Sequence, residues 1–236
     1  MFEWLKKENA DFVCLQEVRA QLDDIKSEVF WPDNYYCYHY VAIKKGYSGV
    51  AIFTKSKPNN IIEGLGCKEF DDEGRYIECE FDDFSLASVY FPSGSSGDQR
   101  QEVKYRFLDS FKNKLKAHNF KNKGYLFCGD INIVHKEIDI ANWRANQKNS
   151  GCLPKERAWL DMVFNELNCV DVFRKINQEK QQYTWWSNRG NAWANNVGWR
   201  IDYQICNNSF KKQALKASIY KDERFSDHAP LIMTYD

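Results

Sequence analysis

Aliphatic and aromatic residues along this chain gather into runs at 11–16, 35–43, 48–54, 75–81, 84–90, 125–130, 201–206 and 229–235. Several of these runs are bounded by Gly, Pro, Asn or Asp, which is the pattern of β-strands closed by turns. Phe81-Asp82-Asp83-Phe84 lies between two of them and reads as the tight connection of a β-hairpin. Over 99–118 the spacing lengthens, and Val103, Phe107, Leu108, Phe111 and Leu115 fall on one helical face. Helices are also predicted over 1–9 and 155–167, the latter opened by Pro154, whose fixed φ suits a first helical turn. Strands that arrive in hairpins as well as between helices predict two packed sheets flanked by helices, not a simple parallel array. No repeat is present, and the Pro92–Gly97 stretch is short enough to be a loop, so 1–236 reads as a single α/β domain.

Composition narrows the class. With 43% hydrophobic and 28% charged residues, the chain has the makings of a packed core rather than of disorder. No stretch approaches the ~20 apolar residues of a membrane span, and the Met1–Lys7 segment holds no apolar signal core. None of the eight cysteines forms a C-x-x-C pair, which argues against zinc; several sit in apolar runs, as core thiols of a cytoplasmic protein would. Net charge is zero but unevenly spread. Residues 69–83 carry eight acids against Arg75, and residues 99–124 carry eight bases against Glu102 and Asp109. A neutral total can therefore hide a positive DNA-facing side, although lysines from Lys112 to Lys123 are as readily a solvated helix face.

Polar residues with chemical potential recur at the strand ends. The run 11–16 leads into Glu17, 84–90 ends at Tyr90, 125–130 ends in Gly129-Asp130-Ile131-Asn132, 201–206 opens with Asp202, and Ser226-Asp227-His228 precedes the last run. Strand ends are where a rigid sheet can hold side chains around a cleft. Carboxylates with an Asn, a His and a Tyr suit a hard divalent cation with oxygen ligands. Singly, each has an ordinary explanation as a solvated strand end, a turn or a cap; as a set they are far more specific.

Taken together, these stretches resemble the exodeoxyribonuclease III / abasic-site endonuclease family of the DNase I-like endonuclease–exonuclease–phosphatase superfamily. The resemblance rests on Leu15-Gln16-Glu17, Gly46-Tyr47-Ser48-Gly49, Glu73-Gly74-Arg75, Tyr90-Phe91-Pro92, Gly129-Asp130-Ile131-Asn132, Glu137-Ile138-Asp139, Pro154-Lys155-Glu156-Arg157, Asn196-Val197-Gly198-Trp199-Arg200-Ile201-Asp202-Tyr203 and Ser226-Asp227-His228. It implies a four-layer α/β/β/α sandwich and a Mg²⁺-dependent phosphodiesterase, with Mn²⁺ as a substitute. The implied partner is double-stranded DNA with abasic sites or 3′ ends, and the implied state a monomer. By matched position, Glu17, Asp130, Asn132, Asp227 and His228 are metal ligands, and Tyr90, Asp130, Asn132, Asp202 and His228 are catalytic. Tyr47, Arg157, Trp185, Asn196, Trp199 and Ile201 fall at substrate-binding positions, and the Trp185, Trp199 and Ile201 positions line the abasic-sugar pocket in relatives. Either Asp130, or His228 oriented by Asp202, is a legible general base; the amide of Asn132 is expected to donate to water or an oxyanion. Other phosphodiesterases and phosphatases of the superfamily, or an inactive DNA-binding remnant, are the competing functions.

One departure stands out. Family members open with a strand carrying an Asn-x-Asn signature, and this chain has none; Met1-Phe2-Glu3-Trp4 matches the helix that follows it. The expectation is that roughly 20–25 residues of strand, loop and helix start are missing, through an incomplete or misassigned reading frame or a natural short form.

Overall fold

The structure is a computed structural model that describes residues 1–121, 123–210 and 212–236. It divides into two compact units: Met1–Tyr90 with Lys123–Gly129, and Phe91–Asn122 with Asp130–Asp236.

The first unit contains helix α1 (Phe2–Glu8), strands β1 (Phe12–Gln16), β2 (Tyr36–Tyr40), β3 (Val50–Thr54) and β4 (Asn60–Glu63), a short helix α2 (Lys68–Asp71), and strands β5 (Tyr76–Glu80), β6 (Phe84–Tyr90) and β7 (Gly124–Asp130), whose last residue enters the second unit. β3 lies between β1 and β2, antiparallel to both. It is buried along its whole length, which is why Val50-Ala51-Ile52-Phe53 reads as a continuous apolar run rather than as an alternation. The strands β4, β5, β6 and β7 are successive neighbours in a second sheet, and β1 and β3 pack over β5 and β6. The β5–β6 hairpin closes where predicted, with Phe81 N–H donating to the Phe84 carbonyl at 2.8 Å. Gly129 of β7 is obligatory: a Cβ there would fall 1.8 Å from the Val89 carbonyl oxygen.

The second unit contains helices α3 (Asp98–Phe120), α4 (Trp143–Asn146) and α5 (Pro154–Asn165), strand β8 (Val170–Asp171), helix α6 (Val172–Ile176), and strands β9 (Trp185–Trp186), β10 (Gly198–Trp199), β11 (Asp202–Cys206), β12 (Ala214–Ile219) and β13 (Leu231–Tyr235). β8 pairs with β11, β9 with β10 and β12 with β13, all antiparallel. The helical face predicted for α3 buries Phe107, Leu108, Phe111 and Leu115, with Lys104 buried beside them. Phe91 meets Phe107, Phe111 and Trp159 edge to face at 4.8, 5.0 and 5.6 Å between ring centroids. Trp159 of α5 then donates its indole N–H to the Leu108 carbonyl at 3.0 Å, so a large aromatic is buried with its polar atom satisfied. Strands β4, β8, β9, β10 and β12 and the short helices α2, α4 and α6 were not expected from the sequence; the other strands and helices fall within a few residues of their predicted places.

All eight cysteines are free thiols. Burial pushes Cys37 and Cys206 up to about 11, and Cys79 and Cys169 up to about 12. Among the described residues no helix is long and apolar enough to cross a membrane.

Candidate active site

The chain gathers its predicted site residues into two sets, one in each unit. In the first unit, β1 ends at Gln16 and Glu17 turns out of the strand with a left-handed backbone, φ 51°. That conformation is uncommon for a residue with a Cβ and marks a constrained position. Its carboxylate accepts from the Tyr90 hydroxyl at 2.6 Å and from Arg19 at 2.7 Å. Arg75, almost fully buried, stands behind Tyr90: its guanidinium donates to the Tyr90 carbonyl at 3.0 Å and lies 4.8 Å from the ring centroid. Arg75 also donates to the Tyr47 hydroxyl at 2.9 Å and pairs with Glu73. Tyr47, expected to contact a DNA groove, thus has its hydroxyl engaged in holding Arg75. The glycine of Glu73-Gly74-Arg75 is required by close approach, since a Cβ would lie 2.6 Å from the Val41 carbonyl carbon at a φ of 58°.

In the second unit, β7 delivers Asp130, which is buried, and Asn132 follows with φ 53°. The Asn132 backbone N–H donates to one Asp130 carboxylate oxygen at 2.8 Å, and its side-chain Nδ2 donates to the other at 3.0 Å and to the Phe91 carbonyl at 3.0 Å. Both amide hydrogens of Asn132 are therefore committed. In this arrangement the amide fixes the orientation of the Asp130 carboxylate.

His228 and Asp202 form a close pair, Nδ1 to Oδ2 at 2.9 Å. Burial alone would push the imidazole down. The hydrogen-bonded charge of Asp202, with those of Asp130 and Asp227, outweighs burial and lifts it to about 10. The charge of Asp202 thus favours the imidazolium form of His228.

A short extended segment holds these pieces in register. The hydroxyl of Thr184, fully buried, accepts from the backbone N–H of Ile201 at 3.1 Å and of Asp202 at 3.2 Å, while its carbonyl accepts from Ala229 N–H at 2.8 Å. The next residue, Trp185, donates its indole N–H to Asp227 at 3.0 Å. Thr184 was not anticipated; its one signal is its place directly before the tryptophan pair. Trp185 and Trp199 meet edge to face at 5.8 Å and pack with Ile201, Val134, Ile140, Cys152 and Trp143. Trp186 instead enters the core against Tyr183, Ala192 and Ala229, and donates to Asn196 Oδ1 at 3.1 Å. Asn196, expected at the substrate, is thereby tied to the core tryptophan. Gly198 makes room for this arrangement, because a Cβ would lie 2.7 Å from Trp186 Nε1. Arg157 donates to the Cys152 carbonyl at 3.0 Å and covers the Trp143 ring at 4.7 Å.

Beneath the aromatic cluster lies a buried ionic network. Arg200 donates to Asp139 and to Asp171, each at 2.7 Å, and Arg174 donates to Asp139 at 2.8 Å. Burial by itself would raise the Asp139 carboxyl, but the two guanidinium charges outweigh it and hold it below the usual carboxylate range.

The oxygen donors in the two sets suit a hard divalent cation. Among the described residues no three His, Cys, Asp or Glu side chains group closely enough to enclose an ion.

Residues 1–228 match the Endonuclease/Exonuclease/phosphatase family. The chain is 38% identical over 229 residues to an exodeoxyribonuclease of Bacillus subtilis, covering 97% of this chain and 89% of the relative. It is 33% identical over 234 residues to the DNA repair nuclease APEX1 of Danio rerio, covering 98% and 75%. The structure of an AP endonuclease from Archaeoglobus fulgidus superposes with a TM-score of 0.89 over all of this chain and 93% of that one, at 24% identity, and so shares its fold. On a family match that runs almost from end to end, the chain belongs to the endonuclease/exonuclease/phosphatase family.

Proposed function

We propose that this chain is a DNA-repair nuclease that hydrolyses phosphodiesters of duplex DNA, cutting 5′ to abasic sites and clearing nucleotides or blocking groups from 3′ ends. The observation that carries the reading is the presence, inside one compact unit, of an oriented carboxylate and an imidazolium together with an apolar aromatic cluster. The relatives named as an exodeoxyribonuclease and a DNA repair nuclease support it.

In this reading Asp130 takes the proton of the attacking water, its carboxylate held in one orientation by Asn132. His228, kept charged by Asp202, donates to a phosphate oxygen and offsets the charge that develops there. The Tyr90 hydroxyl, backed by Arg75, contacts the scissile phosphate. A divalent cation, Mg²⁺ with Mn²⁺ as substitute, would supply Lewis-acid charge neutralisation at the phosphate; the family resemblance puts Glu17 and Asp227 at the positions of carboxylates that would hold it. Trp185, Trp199 and Ile201 admit a sugar without a base and exclude one that still carries its base. Arg157 contacts the DNA backbone. The chain works as a cytoplasmic monomer.

The test is nicking of a duplex containing one abasic site, beside intact duplex, poly(A) and an inositol phosphate. EDTA-sensitive cleavage of the abasic strand alone is expected, falling at least about a hundredfold in Asp130→Asn. Equal rates for that variant and the parent refute the assignment of Asp130, and preference for poly(A) or the inositol phosphate refutes the substrate.

A further inference from the structure

Two charged residues that the sequence presents as surface lie at the centre of the second unit. Lys104 of α3 and Glu156 of α5 are both fully buried and pair at 2.6 Å. Lys104 does not stop at Glu156: its ammonium also donates to the backbone carbonyl of Asn132 at 2.8 Å. The second carboxylate oxygen of Glu156 accepts from the Gly151 N–H at 2.7 Å and the Leu153 N–H at 2.9 Å. Gly151 in turn gives its carbonyl to Val134 N–H at 2.7 Å. The result is a closed circuit from Asn132 through Lys104, Glu156 and Gly151 back to Val134.

Both ends of this circuit bear on the site. Asn132 sits at φ 53°, a left-handed conformation that Asn adopts more readily than most residues, and the ammonium fixes the direction of its carbonyl. Gly151, at φ 92°, is pressed so closely between the Asn132 carbonyl oxygen and the Trp199 ring that a Cβ would lie 3.0 and 2.9 Å from them. Moving the Lys104 ammonium therefore moves the residue that orients Asp130 and the wall of the aromatic cluster together.

We propose that Lys104 and Glu156 are positioning residues for the reaction, locking Asn132 in its left-handed conformation and coupling the Asp130–Asn132 pair to the Trp199 wall. Their buried charge has a further consequence, since removing one partner leaves the other unpaired in the core. A single variant alone would thus confuse unfolding with misplacement. This proposal rests on the nuclease reading for its activity arm and stands apart from it in its spectroscopic arm.

The test uses the full chain as Lys104→Met, Lys104→Arg and the double variant Lys104→Met/Glu156→Gln, which removes both charges and leaves an acceptor for Gly151 and Leu153. On an abasic-site duplex, the double variant is expected to melt near the parent yet to lose about a hundredfold in kcat with KM within about threefold, as misplacement of a reacting group does. Lys104→Arg, which keeps a cationic donor, is expected to recover most of that loss. In parallel, the Asn132 side-chain amide resonances are expected to shift in the double variant under native conditions. A folded double variant with parental kcat overturns the proposal, as does an unshifted Asn132 amide. Should the parent protein cut no abasic duplex, the nuclease reading falls, and the amide shift alone decides for or against the positioning role.

Discussion

The Asp139–Arg200 network allows the sharpest stability test. Asp139 is 1% exposed and accepts charge-assisted hydrogen bonds from Arg200 at 2.7 Å and Arg174 at 2.8 Å. Asp139→Asn keeps the shape and an acceptor oxygen but turns two charged interactions into charged–neutral ones, a loss of about 2 kcal/mol. Asp139→Ala leaves the Arg200 and Arg174 guanidinium groups without this partner and costs about 3–5 kcal/mol. For a protein of this length, about 2–4 °C of Tm per kcal/mol puts the first near 4–8 °C and the second near 6–20 °C. The pH window follows from the depressed carboxyl. The folded-state group loses its proton more readily than the unfolded one, so its contribution is complete above the unfolded value of about 3.9 and fades only as pH falls below it toward the folded value. Scanning calorimetry of parent and Asp139→Asn at pH 7, 5 and 3.5 is the assay. The gap should be equal at the first two and narrower at the third. A Tm within about 2 °C of the parent at pH 7, or a gap that closes between pH 7 and 5, refutes the argument.

Three further outcomes are expected. Asp202→Asn removes the charge that keeps His228 protonated to about 10, so activity should decline as pH rises through neutrality, where the parent stays flat; superposable pH–rate profiles would show that the imidazolium is not needed. Gly151→Ala places a methyl group against the Asn132 carbonyl and the Trp199 ring at a φ of 92°, and should cost about 1–3 kcal/mol in urea unfolding while lowering discrimination between abasic and intact duplex; unchanged stability would mean that this approach is not tight in solution. Glu17→Gln keeps a partner for the Tyr90 hydroxyl but weakens the proposed cation ligand, so the Mg²⁺ concentration for half-maximal rate should rise about tenfold or more, and an unmoved Mg²⁺ titration would refute that assignment of Glu17.

Much of this architecture is legible in the order of residues because burial imposes a period. The run Val50–Phe53 announces a strand covered on both faces, and the spacing of Phe107, Phe111 and Leu115 announces the inner face of α3. Glycines of the recognisable motifs are legible for a steric reason: Gly74, Gly129 and Gly198 each stand where a Cβ would strike another part of the chain. Less legible is what depends on pairing across the fold. Lys104 reads as one base among eight in a basic stretch, and only its position three residues before Phe107 hints that it faces inward. The short β8 and the exposed β4 and β12 carry too little apolar alternation to declare themselves. Contacts, too, are set by neighbours that no spacing reveals: the Asn132 amide bonds Asp130 and the Phe91 carbonyl, and the carboxylates around His228 favour its charged form.

The thiols of Cys37, Cys79, Cys169 and Cys206 are all driven up to about 11–12 by burial. Alkylating reagents attack the thiolate, so at neutral pH iodoacetamide meets all four as protonated groups, and the buried Cys79 and Cys169 as sheltered ones. The labelling rates of those two then follow how often the surrounding chain opens. With Cys79 in one unit and Cys169 in the other, mass-resolved alkylation becomes a pair of built-in clocks that time the breathing of each half separately.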